Sequence, residues 1–190
     1  AIGSALNYKE EKSFAITDIM AKLSSNIHME FEVARMEPLF ASEEEYDAFI
    51  KRHGNNHVRT ADLSTYHGNC YLGIDAGSTT TKIALVDEDG SLLYSFYSNN
   101  NGSPLATAIG AIQDIYSKLP EDAHIVHSCS TGYGEALLKS ALMLDEGEVE
   151  TVAHYYAAAF FNPEVDCILD IGGQDMKCIK IKNQTVDSVQ

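Results

Sequence analysis

One pattern occurs twice in this chain and limits what it can fold into. Residues 74–82 read Ile-Asp-Ala-Gly-Ser-Thr-Thr-Thr-Lys, and residues 169–177 read Leu-Asp-Ile-Gly-Gly-Gln-Asp-Met-Lys. Both fit Ile or Leu followed by Asp-x-Gly-x4-Lys, and each is entered and left by an apolar run. Asp75 maps onto Asp170, Gly77 onto Gly172 and Lys82 onto Lys177. A single copy reads as an ordinary hairpin with an Asp-Gly turn. Two copies in fixed register point to a duplicated unit with a polar turn at the same place in each, as expected of a phosphate clamp.

The chemistry of the turn supports that reading. Glycine tolerates positive φ and lets a ligand approach the backbone closely. Successive N–H groups in such a turn form an anion-binding nest, to which Ser and Thr hydroxyls add donors. A carboxylate just before the turn would repel phosphate directly, so Asp75 and Asp170 are expected to hold Mg²⁺ through water. The pattern is not a Walker A loop, which needs Gly-x4-Gly-Lys-Ser/Thr between a strand and a helix. No Gly-x-Gly-x-x-Gly for a dinucleotide is present.

Length and charge narrow the classes. A chain of 190 residues buries roughly 70% of its unfolded surface on folding and needs no covalent staples. Its net charge is −15, from 28 acidic and 13 basic residues, which argues against general binding to nucleic acid or an anionic membrane. A local nucleotide site survives, because a metal ion and backbone dipoles hold phosphate without net positive charge. The four cysteines, Cys70, Cys129, Cys167 and Cys178, show neither Cys-x-x-Cys spacing nor a disulfide framework. With no secretory segment and no membrane-length apolar run, the chain reads as cytoplasmic.

Along the chain, residues 1–70 form a separate zone of mixed α+β character. Ile16, Ile19, Met20 and Leu23 make a helical stripe, while Met29, Phe31 and Val33 alternate as a short strand does. Ser42 and Glu45 make a capping box before a helix that stops at Gly54, and the polar stretch 54–69 reads as a linker. From residue 71 the expected order is strands at 71–75, 82–86 and 91–98, then a helix from Ser103-Pro104 to before Pro120. Leu105, Ile109, Ile112, Tyr116 and Leu119 are its expected buried stripe. A strand at 124–129, helices over 135–144 and 149–161, and the second signature follow. This is a ribonuclease-H-like α/β order: residues 71–162 form a first subdomain, and residues 163–190 open a second with its first hairpin. The chain is therefore expected to be a fragment of a longer protein.

Four segments carry a resemblance to a known family: Gly73–Lys82; Ser130-Thr-Gly-Tyr-Gly134; Glu150 with His154; and Asp170–Lys177, where Gly-Gly-Gln-Asp is the most specific. Residues 71–190 resemble the actin-like superfamily of sugar kinases and chaperones. Within it they are similar to the BadF/BadG/BcrA/BcrD-type ATPases, the activators of 2-hydroxyacyl-CoA dehydratases and benzoyl-CoA reductases. The resemblance implies ATP and Mg²⁺ as cofactors, with Asp75 and Asp170 as catalytic, metal-positioning carboxylates. It implies phosphate contacts from Gly77, Ser78, Thr79, Thr80, Gly172, Gly173 and Gln174. Lys82 either neutralises phosphate charge or is a solvated strand lysine.

The same resemblance implies a dehydratase or reductase partner, a homodimer in the full-length protein, and ATP hydrolysis coupled to electron transfer from a [4Fe–4S] cluster. That cluster is expected only in the full-length protein. The family's cluster cysteines follow the second hairpin in a Cys-Ala-Ala-Gly-Thr-Gly-like run, which residues 1–190 lack. Cys167 and Cys178 read as buried apolar thiols. The fragment alone is expected to be inactive and to bind ATP weakly. Residues 1–6 resemble the closing helix of a preceding module, so residues 1–70 read as an inter-module segment. Ser130–Gly134 borders a cleft or merely turns the chain, and Glu150 with His154 reads as a surface or interdomain pair. The alternatives are a small-molecule kinase of the same superfamily, such as an N-acetylsugar kinase, and a nucleotide-gated regulatory module without turnover.

Overall fold

The computed structural model describes residues 6, 13–25, 36–172 and 176–190. Contacts divide the chain into two units, residues 1–53 and residues 54–190. The strand expected around Met29–Val33 lies outside the described residues.

In the first unit, α1 spans Ile16–Ser24 and its apolar stripe is exposed along its length. Helix α2, Glu43–His53, has acidic residues in its first turn and basic residues in its last, matching the helix dipole. Its capping box forms one residue off the ideal. The Glu45 N–H donates to Ser42 Oγ at 3.4 Å, while Glu45 Oε2 accepts from the N–H of Ala41, not Ser42, at 2.8 Å. Phe40, before the helix, packs on the rings of Tyr46 and Phe49 within it.

The second unit is built on a five-stranded sheet in the order β3-β2-β1-β4-β5. Its strands are β1 Gly68–Ala76, β2 Thr80–Val86, β3 Leu92–Asn99, β4 Ala123–Thr131 and β5 Glu146–Gly147. The first three form an antiparallel meander, β4 runs parallel to β1, and β5 runs parallel to β4. This is the expected ribonuclease-H-like order. Alternation on β1 and β2 buries Cys70, Leu72, Ile74, Ala76, Ile83 and Leu85 on one face. Burial pushes the Cys70 thiol up.

Helix α3, Pro104–Lys118, covers that face against β2 and β3. Ser103 Oγ caps it by accepting from the N–H of Ala106 at 3.3 Å, and Pro104 fills its first turn. The buried residues are Ala108, Ala111 and Ile115, whereas Ile109 and Tyr116 of the expected stripe are exposed. The helix meets the sheet through its alanines, because small side chains allow close packing. Reading only the large apolar residues rotates the buried face by about a residue.

The stretch 54–69 is more than a linker. Leu63 is buried in the core inside a 3-10 turn, Leu63–Thr65, and Asp62 caps that turn by accepting from Ser64 N–H at 2.9 Å. Leu92 N–H donates to Arg59 O and Ala61 N–H to Leu92 O, so residues 59–61 pair along the edge of β3. Its polar composition concealed backbone pairing and one buried leucine.

After α4, Glu135–Leu142, and α5, Glu150–Phe161, comes a second sheet of β6 Cys167–Ile171, β7 Met176–Lys182 and β8 Thr185–Val189. It is antiparallel throughout, so the expected hairpin is a three-stranded meander. Asn183 and Gln184 both take positive φ, as a tight two-residue hairpin turn requires.

Phe160 of α5 lies against the β2–β3 turn, where Gly90 has φ +76° and a Cβ would stand 2.7 Å from Phe160 Cε2. Gly90→Ala is expected to cost about 2–3 kcal/mol through left-handed strain and overpacking. Adding Phe160→Ala should return the overpacking share, and urea unfolding of the two singles and the double checks this. Strictly additive losses would mean the ring does not press on the turn.

Candidate functional site

The spacing of the repeated signature has a direct structural meaning. In each copy the hairpin sets the aspartate opposite the lysine: Asp75 pairs with Lys82 across β1–β2, and Asp170 with Lys177 across β6–β7. In the first copy Lys82 Nζ reaches Asp75 Oδ2 at 2.8 Å, and this bond holds the lysine pKa above its ordinary value. In the second copy the separation opens to 4.0 Å, and Lys177 Nζ lies 3.4 Å from Glu150 Oε2. His154 Nδ1 lies 3.4 Å from Asp170 Oδ2.

Between the hairpins lies a cleft of about 910 Å³. Every site residue expected from the first signature lines it: Asp75, Gly77, Ser78, Thr79, Thr80 and Lys82. Gly132 and Tyr133 border it from the β4–α4 turn, so Ser130–Gly134 is both cleft wall and turn. Lys177 and Glu150 face the same cleft. Gly172 is exposed just past the end of β6, and Gly173 and Gln174 lie outside the described residues.

The first turn is tightly fixed. Gly77 N–H donates to Thr80 O at 2.9 Å. Gly77 does not use positive φ; its constraint is closeness, since a Cβ would lie 3.1 Å from Thr80 O. Asn100, buried after β3, holds the turn from behind. Its N–H donates to Thr79 O at 2.8 Å, its Nδ2 donates to Gly77 O at 2.8 Å, and its Oδ1 accepts from Thr81 Oγ1 at 2.6 Å. Two turn carbonyls are thereby engaged by the side of the turn away from the cleft, which suits a turn that offers donors to an anion.

Sequence reasoning missed Asn100 and also Tyr97, which lines the cleft, and it did not connect Glu150 to the cleft. The run Asn99-Asn100-Asn101-Gly102 before a helix cap was the one available signal for Asn100. Cys167 and Cys178 sit with their sulfurs 3.8 Å apart, Cys167 exposed rather than buried. The neighbouring Cys178 sulfur holds the Cys167 thiol pKa above its ordinary value. Among the described residues no helix is long and apolar enough to cross a membrane.

Residues 72–190 match the BadF/BadG/BcrA/BcrD ATPase family. The chain belongs to this family. The (R)-2-hydroxyglutaryl-CoA dehydratase activating ATPase of Acidaminococcus fermentans is 34% identical over 125 residues, covering 63% of this chain and 45% of that protein. The crystal structure of that organism's dehydratase component A matches with a TM-score of 0.54 at 28% identity, covering 65% of this chain and 47% of that one. The activator of the 2-hydroxyisocaproyl-CoA dehydratase from Clostridium difficile, with bound ADPNP, matches with a TM-score of 0.53 at 26% identity, covering 64% and 44%. These neighbours have the actin-like ATPase fold, and the second unit of this chain shares it. The chain spans under half the length of the curated relatives it matches.

Proposed function

We propose that this segment is the first jaw, and the opening of the second, of an ATP-hydrolysing activator for a 2-hydroxyacyl-CoA dehydratase or a benzoyl-CoA reductase type enzyme. The observation that carries the reading is a cleft bordered by residues of both signature hairpins, Asp75–Lys82 from the first and Lys177 from the second. Residues 71–162 belong to the first of the two subdomains that close on the nucleotide, and residues 163–190 open the second.

The residues fit MgATP. Mg²⁺ keeps most of its waters and needs only one or two carboxylates beside the phosphates. Asp75 stands at the cleft wall next to a turn rich in N–H and hydroxyl donors. When bound, the ion neutralises charge on the phosphate oxygens. Asp75 and Asp170 would hold it through water, and Lys82 fixes the direction of the Asp75 carboxylate. Gly77–Thr80 hold the phosphates, and Gly172, Gly173 and Gln174 are the phosphate-binding residues of the second signature. In the complete protein, taken as a cytoplasmic homodimer, closing and opening of the two halves would be coupled to low-potential electron transfer into the partner enzyme, the chemistry a [4Fe–4S] cluster would supply.

The test is ATP turnover by the complete protein with and without a dehydratase component. MgATP-dependent phosphate release together with reductive activation of the partner is expected. Nucleotide binding without hydrolysis in any pairing would favour a regulatory module instead. ADP formed only when an N-acetylsugar is supplied would favour a kinase.

A further inference from the structure

Neither Cys167 nor Cys178 lines the nucleotide cleft. Cys167 opens β6 and Cys178 lies within β7. These strands are antiparallel, with Cys167 opposite Lys180 and Leu169 opposite Cys178. Side chains alternate along a strand, so Cys167, Leu169 and Cys178 share one face of the sheet. The two cysteines are therefore diagonal cross-strand neighbours, and their sulfurs stand in contact at 3.8 Å.

We propose that Cys167 and Cys178 are a reversible dithiol–disulfide pair, oxidised by small-molecule disulfides such as oxidised glutathione. The inference goes beyond the ATPase reading and does not depend on it. Exchange proceeds in two balanced steps. The Cys167 thiolate attacks one sulfur of oxidised glutathione; the glutathione S–S bond breaks and a protein–glutathione mixed disulfide forms. The Cys178 thiolate then attacks the Cys167 sulfur and displaces the second glutathione. The two thiol protons end on the two glutathione thiolates released. The protein pair loses two electrons, and one oxidised glutathione becomes two reduced molecules.

Access sets the order of these steps. Cys167 is exposed and meets the external disulfide, whereas Cys178 is half-buried beside it and resolves the adduct. The other two thiols lack this arrangement. Cys70 is buried, and the Cys129 thiol donates to the carbonyl of Ser130 at 3.6 Å.

Register makes the bridge reversible rather than structural. Diagonal neighbours in an antiparallel pair stand ~7–8 Å apart at Cα, beyond the ~4.4–6.8 Å that most disulfides span. Closing the bridge must draw β6 along β7, and such a bond is more easily reduced than one between directly facing residues. Every residue of the second signature, 169–177, lies between the two cysteines. Oxidation therefore ties the base of that hairpin.

The experiment incubates the 190-residue chain in glutathione mixtures and quenches with acid before intact-mass and peptide analysis. Mildly alkaline buffer is used, because the Cys178 sulfur holds the Cys167 thiol above its ordinary range. Loss of the mass of two hydrogens, with a peptide link between Cys167 and Cys178 that reduced glutathione reverses, is expected. Raising the ratio of oxidised glutathione to squared reduced glutathione about a hundred-fold across the midpoint should take the pair from about one-tenth to about nine-tenths oxidised. Cys178→Ser should stop at a glutathione adduct on Cys167, Cys167→Ser should form no internal bridge, and Cys129→Ser should behave as the parent. Amide exchange in β6 and β7 should slow on oxidation, and the same link should form in the complete protein. The pair is overturned if no bridge forms across the range, if the parent stops at the mixed disulfide, or if the link runs through Cys70 or Cys129. It is equally overturned if reduced glutathione fails to reopen the bridge, if exchange in both strands is unchanged, or if the complete protein protects the two thiols.

Discussion

Asp75→Asn is expected to lower MgATP hydrolysis by the complete protein about 10²–10³-fold, the scale of removing one preorganised electrostatic group from a reaction centre. The fold should survive. The side chain sits at the end of β1, partly exposed at the cleft, and asparagine keeps its shape and an oxygen for Lys82. Its ion pair with Lys82 is largely solvated on the lysine side, and exposed pairs contribute only about 0–1 kcal/mol. A large fall in turnover beside a small shift in Tm therefore separates a metal-positioning role from a structural one. Loss of the charge weakens the hold on Mg²⁺, so part of the rate should return at high Mg²⁺. If turnover is unchanged, Asp75 is only the cross-strand partner of Lys82, and the repeated signature marks a hairpin rather than a phosphate clamp.

Much of the second unit was legible because its signals are local. Strand ends are marked by Asp-x-Gly turns, and the start of α3 by Ser103-Pro104. The site residues of the first signature were legible for a similar reason: polar residues crowd a strand end where nothing in strand formation calls for them. What stayed hidden depends on contacts between distant segments. Strand β5 is two residues long and exists only by pairing with β4. Asn100 reads as one of three successive asparagines until the turn of residues 77–79 is folded against it. Glu150 and His154 show their shared helix face in sequence, but the aspartate that completes the group arrives from β6. The buried face of α3 was misjudged because alanines, silent in a pattern of large apolar residues, make the closest approach.

Gly132→Ala should cost about 2–4 kcal/mol as the sum of left-handed strain and overpacking. Gly132 has φ +85°, and a Cβ there would lie 2.7 Å from Asp75 Oδ1, 2.9 Å from Ala76 O and 3.0 Å from Ala76 C. Two of those three atoms are backbone and cannot rotate away. The turn must then lift from the end of β1, weakening the bond from Gly134 N–H to Ala76 O at 2.8 Å, and the Asp75 carboxylate must swing aside. Stability and the nucleotide site should thus fail together. Gly102→Ala is the matched control: its φ is +84°, yet nothing lies within 4 Å of a Cβ there. It should show the conformational strain alone, about 1–2 kcal/mol. Urea unfolding of both variants in the 190-residue chain, with ADP affinity measured in the complete protein, reads out the difference. Equal losses at the two positions would show that the close approach of the β4–α4 turn to Asp75 is not what requires glycine at 132. A larger loss at 132, with weakened ADP binding confined to that variant, would show that the turn sets the carboxylate of the first signature in place.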